Sequence, residues 1–148
     1  MTTITMTRTI HAPALKVFEA WTDPQQIQQW LAPHPSEVRV ATADARRGGR
    51  YTILVADPEG KLHTTSGEYR ELVPGARLVQ TWEYKGPNAA ATVPSRLTVE
   101  LREVSAGVTE LALTHAELPD EKIAADANHG WELCLDQLAA LVGAQRSA

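Results

Sequence analysis

The chain has 148 residues, a formal net charge of −4 and one cysteine, Cys134. This length suits one domain over residues 1–148, and the lone cysteine excludes an internal disulfide and cysteine-rich zinc sites. Acidic and basic residues are mixed along the chain, which argues against a nucleic-acid partner because such a surface needs a concentrated basic face. No signal segment and no apolar run of membrane-spanning length is visible, so we expect a cytoplasmic protein without membrane insertion.

The first part of the chain predicts one strand followed by two short helices. Residues 3–10 alternate threonine with mostly apolar side chains, which is typical of a half-buried strand. Pro13 suits the first turn of a helix, and the segment Thr22-Asp23-Pro24 both ends that helix and caps the next. Pro33 stops the second helix.

The middle of the chain predicts six further strands, which cover residues 37–43, 51–55, 63–73, 77–84, 97–102 and 109–115. Turn residues separate most of them, including Gly48-Gly49, the run from Asp57 to Gly60, and Pro74-Gly75. Residues 85–93 form the longest irregular stretch. Strands joined by tight turns predict an antiparallel meander, and the clean alternation indicates one buried face and one solvated face.

The last long segment, residues 120–142, predicts one amphipathic helix. Its apolar residues recur at steps of three and four: Ile123, Ala127, Trp131, Cys134, Leu135, Leu138, Leu141 and Val142. Asp120 is the expected cap and Gly143 the expected end. We therefore predict an α+β fold in which a curved antiparallel sheet of about seven strands grips a long C-terminal helix.

Several motifs carry a family resemblance that spans nearly the whole chain. They are Arg8-Thr9-Ile10-His11-Ala12-Pro13, Val17-Phe18, Trp21-Thr22-Asp23-Pro24, Trp30, Gly48-Gly49-x-Tyr51, Gly67-x-Tyr69, Leu78-Val79-Gln80-Thr81-Trp82 and Gly130-Trp131-x-x-x-Leu135-x-x-Leu138. In order and spacing they resemble the activator of heat shock protein 90 ATPase (AHSA-like) family. This family belongs to the START/Bet v 1-like helix-grip superfamily, also called SRPBCC. Two departures are Leu31, where the family often has an aromatic residue, and Gln80, where an apolar residue is common.

The resemblance implies a hydrophobic cavity between the sheet and the long helix. Members of the superfamily bind lipids, sterols, polyketides or hormones there, and some catalyse cyclisation or hydration. We therefore expect a small hydrophobic molecule as the partner, no cofactor, and a monomer or homodimer. Two alternatives stay open: a co-chaperone that stimulates a heat shock protein 90 ATPase, and a cyclase or dehydratase acting on polyketide-like substrates.

The alternation of the strands indicates which groups face this cavity. The predicted ligand-binding residues are Trp30, Tyr51, His63, Thr65, Tyr69, Gln80, Trp82, His115 and Trp131. An apolar space with a few polar side chains is the usual composition of a small-molecule site. The competing interpretation is that these aromatic residues simply fill the core, with their polar atoms bonded locally.

No catalytic or metal-binding constellation is evident in the sequence. It contains no Gly-x-Ser-x-Gly elbow, no phosphate loop and no paired histidine spacing for a metal. Cys134 lies among apolar residues, where a thiol is usually inert. For the enzyme alternative, His63 or His115 would act as a base beside a tyrosine. That alternative requires two of His63, Tyr69, Tyr84 and His115 to converge within hydrogen-bonding distance inside the cavity.

Overall fold

The structure, a computed structural model, describes the backbone of residues 1–147 and the side chains of residues 1–143. The strands are β1 (Thr2–Ile10), β2 (Glu37–Ala43), β3 (Arg50–Ala56), β4 (Leu62–Val73), β5 (Arg77–Lys85), β6 (Val93–Ser105) and β7 (Val108–Leu118). The helices are α1 (Ala14–Thr22), α2 (Pro24–Trp30) and α3 (Glu121–Ser147).

The seven strands form one open antiparallel sheet in the order β1-β7-β6-β5-β4-β3-β2. Consecutive strands from β2 to β7 are neighbours, and the chain's first strand closes the far edge beside β7. This arrangement confirms the predicted α+β fold, with the two short helices inserted after β1 and the long helix at the C-terminal end.

The register of the sheet places the predicted inner residues on one face. Tyr69 pairs with Gln80, Gln80 with Leu97, Leu97 with His115, and His115 with Ile4. Directly paired residues in an antiparallel sheet project to the same side. The predicted alternation of β4 and β5 is therefore confirmed.

The helices α1 and α2 form a compact pair that packs on one end of this face. The Asp23 carboxylate accepts a hydrogen bond from the backbone N–H of Gln25 at 3.1 Å, which confirms the predicted cap. The indole N–H of Trp30 donates to the carbonyl of Ala20 at 2.8 Å. This bond ties the second short helix to the first.

The long helix α3 begins with the predicted cap, since Asp120 accepts from the N–H of Ile123 at 2.9 Å. It packs against β1, β7, α1 and α2, with Leu135 and Leu138 fully buried. The expectation that Gly143 ends the helix is wrong. Gly143 does not adopt the left-handed conformation of a helix-ending glycine, and the helix continues to Ser147. No helix in residues 1–147 combines the length and apolar character needed to cross a lipid bilayer.

Two leucines on α3 provide a matched test of this packing. Leu135 is fully buried, whereas Leu133 is half-exposed on the outer side. We expect Leu135→Ala to lower the free energy of unfolding by about 2–5 kcal/mol because it leaves a cavity in the core. Leu133→Ala should cost about 1 kcal/mol or less. Urea unfolding followed by tryptophan fluorescence measures both, and equal losses would contradict the placement of α3.

Candidate functional site

The inner face of the sheet is closed at one end of β5 and open at the other. Leu78 and Gln80 are only 1% and 3% exposed. Two residues further on, Trp82 is half-buried, and after it Tyr84 is 38% exposed. All four side chains lie on the same face, so this face becomes progressively uncovered along the strand.

The neighbouring strands open in the same direction. On β3, Tyr51 is 1% exposed and Val55 is half-buried; on β4, Tyr69 is 1% exposed and His63 is half-buried. Val55 pairs directly with His63, so both lie at the open end. The cause is the position of α3, which packs mainly on β1, β7 and the short helices and leaves this end of β3, β4 and β5 uncovered.

Aromatic rings fill the closed end. The ring centroids of Trp21 and Trp30 are 4.6 Å apart, those of Trp21 and Trp131 are 5.6 Å apart, and those of Trp131 and Trp82 are 5.2 Å apart. The Tyr51 ring lies 5.4 Å from that of Tyr69 and 6.2 Å from that of Trp82. Trp82 therefore ends a continuous layer of rings and is its half-exposed member at the opening.

His115 is fixed inside this layer by three hydrogen bonds in series. The Trp131 indole N–H donates to His115 Nδ1 at 3.0 Å, so His115 Nε2 carries the hydrogen and donates to Ser95 Oγ at 2.7 Å. The Ser95 hydroxyl in turn donates to the Trp82 carbonyl at 2.8 Å. Burial lowers the pKa of His115 to about 4, and the imidazole is neutral in this arrangement.

Gln80 contrasts with His115 because one of its polar atoms has no partner. Its side chain is 3% exposed, and its Oε1 atom makes no hydrogen bond in the described part of the chain. A buried acceptor without a donor costs about 1–3 kcal/mol. Gln80 Oε1 is therefore an unpaired acceptor enclosed in the core, on the inner side of Trp82 along β5.

The open end carries a hydrogen-bonded chain of three side chains. Nδ1 of His63 lies 2.6 Å from the Tyr84 hydroxyl, and Nε2 of His63 lies 3.0 Å from Oδ2 of Asp57. Sequence reasoning selected His63 and placed Tyr84 on the inner side of β5, but it treated Asp57 only as a turn residue. The signal for Asp57 was its position in the hairpin turn that leads into the strand of His63.

The remaining predicted site residues fall on either side of this opening. Thr65 is 8% exposed and pairs with Tyr84 across β4 and β5. Trp131 contacts Trp82 from α3, whereas Trp30 lies further away, behind Trp21. The structure therefore gathers the predicted residues around Trp82, with Trp30 as the outlying member.

The side of α3 that faces the open end contains a glycine. Gly130 lies on the same side of the helix as Asp126, four residues before it, and Gln137, seven residues after it. Asp126 is near enough to Tyr84 to contribute to the raised pKa of that phenol, whose main cause is burial. A Cβ atom added at Gly130 would meet nothing within 4 Å. Open space therefore lies in front of α3 at this point.

A separate concavity of about 530 Å³ lies between α2, the start of β2 and α3. One of its lining side chains, Gln137, bonds to backbone groups on the opposite side. The Gln137 amide donates to the carbonyls of Trp30 and Ala32 at 2.9 and 2.7 Å and accepts from the N–H of His34 at 2.9 Å. This concavity is therefore a structural joint between the helices.

Other reactive groups of the described residues are not arranged for chemistry. No three His, Cys, Asp or Glu side chains within the described part of the chain converge in a metal-binding arrangement. Burial raises the pKa of the Cys134 thiol to about 12, which suppresses the thiolate. The buried tyrosines behave in the same way, since burial raises the pKa of Tyr69 to about 12.

The sequence matches a family model, and the fold matches solved structures. Residues 11–143 match the family described as "Activator of Hsp90 ATPase homolog 1-like protein". The chain belongs to this family. No curated protein matches the sequence.

Solved structures of other proteins share the fold over nearly the whole chain. A protein from Chromobacterium violaceum is 32% identical, with a TM-score of 0.86 and coverage of 96% of this chain and 98% of that one. A protein from Rhizobium leguminosarum is 28% identical, with a TM-score of 0.80 and coverage of 96% and 94%. A protein described as an HSP90 activator from Plasmodium falciparum is 22% identical, with a TM-score of 0.74 and 97% coverage of both chains.

The buried state of His115 predicts a dependence of stability on pH. Its pKa of about 4 in the folded protein lies below the ordinary value of 6.5, so the unfolded chain binds the proton more readily between these values. The contribution is fully present above pH 6.5 and is lost as the pH falls towards 4, by an amount on the order of 3 kcal/mol. We expect His115→Gln to flatten this part of the pH profile in urea unfolding. An unchanged slope would contradict the assignment.

Two glutamines test whether the Gln80 acceptor is unpaired. Leucine has a similar volume, and Gln80→Leu removes both the unpaired Oε1 atom and the side-chain hydrogen bond between Gln80 and Tyr51, so the free energy of unfolding should change by no more than about 1 kcal/mol. Gln137→Leu removes three hydrogen bonds to backbone groups and should lower it by about 2 kcal/mol or more. Urea unfolding compares the two, and a similar loss in both would contradict the free acceptor.

Proposed function

We propose that this protein binds a small, mainly apolar molecule in the space between the open end of the sheet and the first half of α3. We call this space the sheet–helix cleft and define it by Val55, His63, Trp82 and Tyr84 on the sheet and Gly130 on the helix. The observation that carries the proposal is the graded exposure of three adjacent strands towards one end. An apolar concave face left uncovered by the protein's own helix is a common place for a ligand.

The composition of the cleft fits such a ligand. Trp82 provides a broad apolar surface, and Ile123 and Ala127 are half-buried apolar residues on the same side of α3 as Gly130. Polar groups are few, and Tyr84 is the exposed one at the outer side. A ligand would thus gain most of its affinity from apolar contact and its orientation from one or two hydrogen bonds.

The aromatic layer limits how deep the ligand reaches. Tyr51, Tyr69 and Trp131 are 5% exposed or less and contact one another or Trp82. The closed end is therefore occupied by the protein's own side chains. The ligand would lie against the exposed face of Trp82.

The filled closed end also favours a second candidate function, stimulation of a chaperone ATPase through the protein surface. The protein of similar fold from Plasmodium falciparum is described as an HSP90 activator. For that activity the cleft would not need to be occupied. The two functions therefore differ in whether a molecule that fills the cleft matters.

The test is native mass spectrometry of gently purified protein, compared with its mass after denaturation. The blocking variant is Gly130→Leu, whose side chain enters the open space in front of α3 and removes a helix-weakening glycine worth about 0.8 kcal/mol. The matched control is Ala125→Leu, which places the same side chain at an exposed position on the other side of the helix.

We expect an adduct that leaves on denaturation in the parent and in Ala125→Leu, and its absence in Gly130→Leu. An adduct retained in Gly130→Leu would place the ligand elsewhere. The alternative result is that the parent and both variants show only the mass of the protein, and that the parent and Gly130→Leu stimulate a heat shock protein 90 ATPase equally. This result would replace the proposal with the surface function.

A further inference from the structure

The hydrogen-bonded side chains Asp57, His63 and Tyr84 lie at the outer rim of the sheet–helix cleft. Their two hydrogen bonds donate in the same direction, from Tyr84 to His63 and from His63 to Asp57. The two His63 contacts are short, at 2.6 Å to Tyr84 and 3.0 Å to Asp57. Within the described part of the chain, the Tyr84 hydroxyl bonds to His63 alone. It is also the most exposed member of the inner row on β5.

The hydrogen positions follow from the chemistry of the three groups. The Asp57 carboxylate can only accept, so Nε2 of His63 must carry a hydrogen and donate it to Oδ2. In the neutral imidazole Nδ1 is then an acceptor, and the Tyr84 hydroxyl donates to it. The single hydrogen of Tyr84 is thereby used inside the protein. Its oxygen keeps a lone pair for a further partner.

We propose that Asp57 and His63 hold Tyr84 as a hydrogen-bond acceptor for the ligand of the cleft, which is therefore a mainly apolar molecule that bears a hydroxyl or N–H donor and no negative charge. The inference rests on the proposed function and specifies its ligand class. Tyr84 contacts the ligand, whereas Asp57 and His63 are positioning residues that act through it.

The surrounding charges argue against an anionic ligand. Asp57 and Asp126, from the hairpin before β4 and from α3, are the two charged groups that raise the pKa of Tyr84 in addition to burial. They would repel a ligand carboxylate or phosphate. The hydrogen bond from His63 is the main cause that lowers the pKa of Asp57, so the Asp57 carboxylate stays a hydrogen-bond acceptor.

Two probes that differ by a methyl group in place of the hydroxyl hydrogen separate a donor ligand from an acceptor ligand. Naphthalenemethanol carries a hydroxyl donor, and its methyl ether carries only an acceptor oxygen. Isothermal titration calorimetry at about pH 8, where histidine is ordinarily neutral, measures both affinities. We expect the parent protein to prefer the alcohol by about tenfold, the effect of one hydrogen bond.

The variant Tyr84→Phe removes the acceptor and keeps the ring. We expect it to bind the alcohol more weakly, at the level of the ether, and to leave the affinity for the ether unchanged. Both probes keep their size difference in this variant, so a preference that remains in Tyr84→Phe reports sterics or donation by the alcohol to the freed Nδ1 of His63.

The variant Asp57→Asn tests the positioning role. Oδ1 of Asp57 accepts from the N–H groups of Glu59 and Lys61, both at 2.9 Å, so an asparagine would keep its oxygen there and place its NH₂ group towards His63. Nε2 of His63 would then accept, and Nδ1–H would donate to the Tyr84 oxygen. The Tyr84 hydrogen becomes free for the ligand. We expect the ether to bind more tightly than to the parent, and the preference for the alcohol to disappear.

The tautomer of His63 gives a readout that does not depend on a ligand. Imidazole ¹⁵N shifts at about pH 8 should show the hydrogen on Nε2 in the parent and on Nδ1 in Asp57→Asn, with His63→Gln used to assign the signals. Equal binding of both probes to the parent, or hydrogen on Nδ1 in the parent, would overturn this inference and leave the proposed function intact. Binding of neither probe would count against the proposed function, and the inference would fall with it.

Discussion

The seating of the long helix on the sheet is the constraint on which the rest of the structure depends. Leu135, Leu138 and Val142 are buried at 1% exposure or less, on the side of α3 that packs against β1 and β7. On another side, Gln137 bonds to two carbonyls and one N–H at the end of α2 and in the loop after it. Held at both contacts, the helix cannot also cover the far end of β3, β4 and β5. The uncovered strand ends follow from this placement.

The polar groups of the inner face fall into two kinds. His115 has a partner on each ring nitrogen, and the bonds that satisfy it also connect α3, β7 and β6. Such a group stabilises the interior because its desolvation is compensated. Gln80 and Tyr84, both on β5, have acceptor capacity that the protein does not use. Gln80 Oε1 is enclosed on the inner side of Trp82, whereas Tyr84 is exposed at the opening, so of the two only the Tyr84 oxygen is accessible there.

The residue types and their spacing were enough to predict the architecture and the face of each inner residue. Side chains on a strand alternate with a period of two, so Gln80 and Trp82 could be placed on the buried face from their positions alone. Caps such as Asp23 and Asp120 were predictable for the same reason, because a local hydrogen bond decides them. Gly143 was misread since a glycine can either end a helix or be tolerated within it.

The opening of the cleft and the role of Asp57 were beyond such patterns. The exposure of Trp82 depends on where α3 lies across the sheet, which is a property of the tertiary packing. Asp57 contacts His63 only when the hairpin is formed. A separation of six residues across a turn does not by itself predict that two side chains are in contact. The unpaired Oε1 atom of Gln80 likewise depends on tertiary packing, because no neighbouring group among the described residues donates a hydrogen bond to it.

The central claim is that a ligand lies against Trp82 at the open end and leaves the closed end untouched. The chain's four tryptophans give four indole N–H signals in a ¹H–¹⁵N spectrum, which can be assigned by single substitutions. On titration with naphthalenemethanol, ring currents should shift the Trp82 signal most and that of Trp131, its contact, less. The signals of Trp21 and Trp30 should stay in place. Shifts that are largest at Trp21 or Trp30, or absent at Trp82, would contradict the claim.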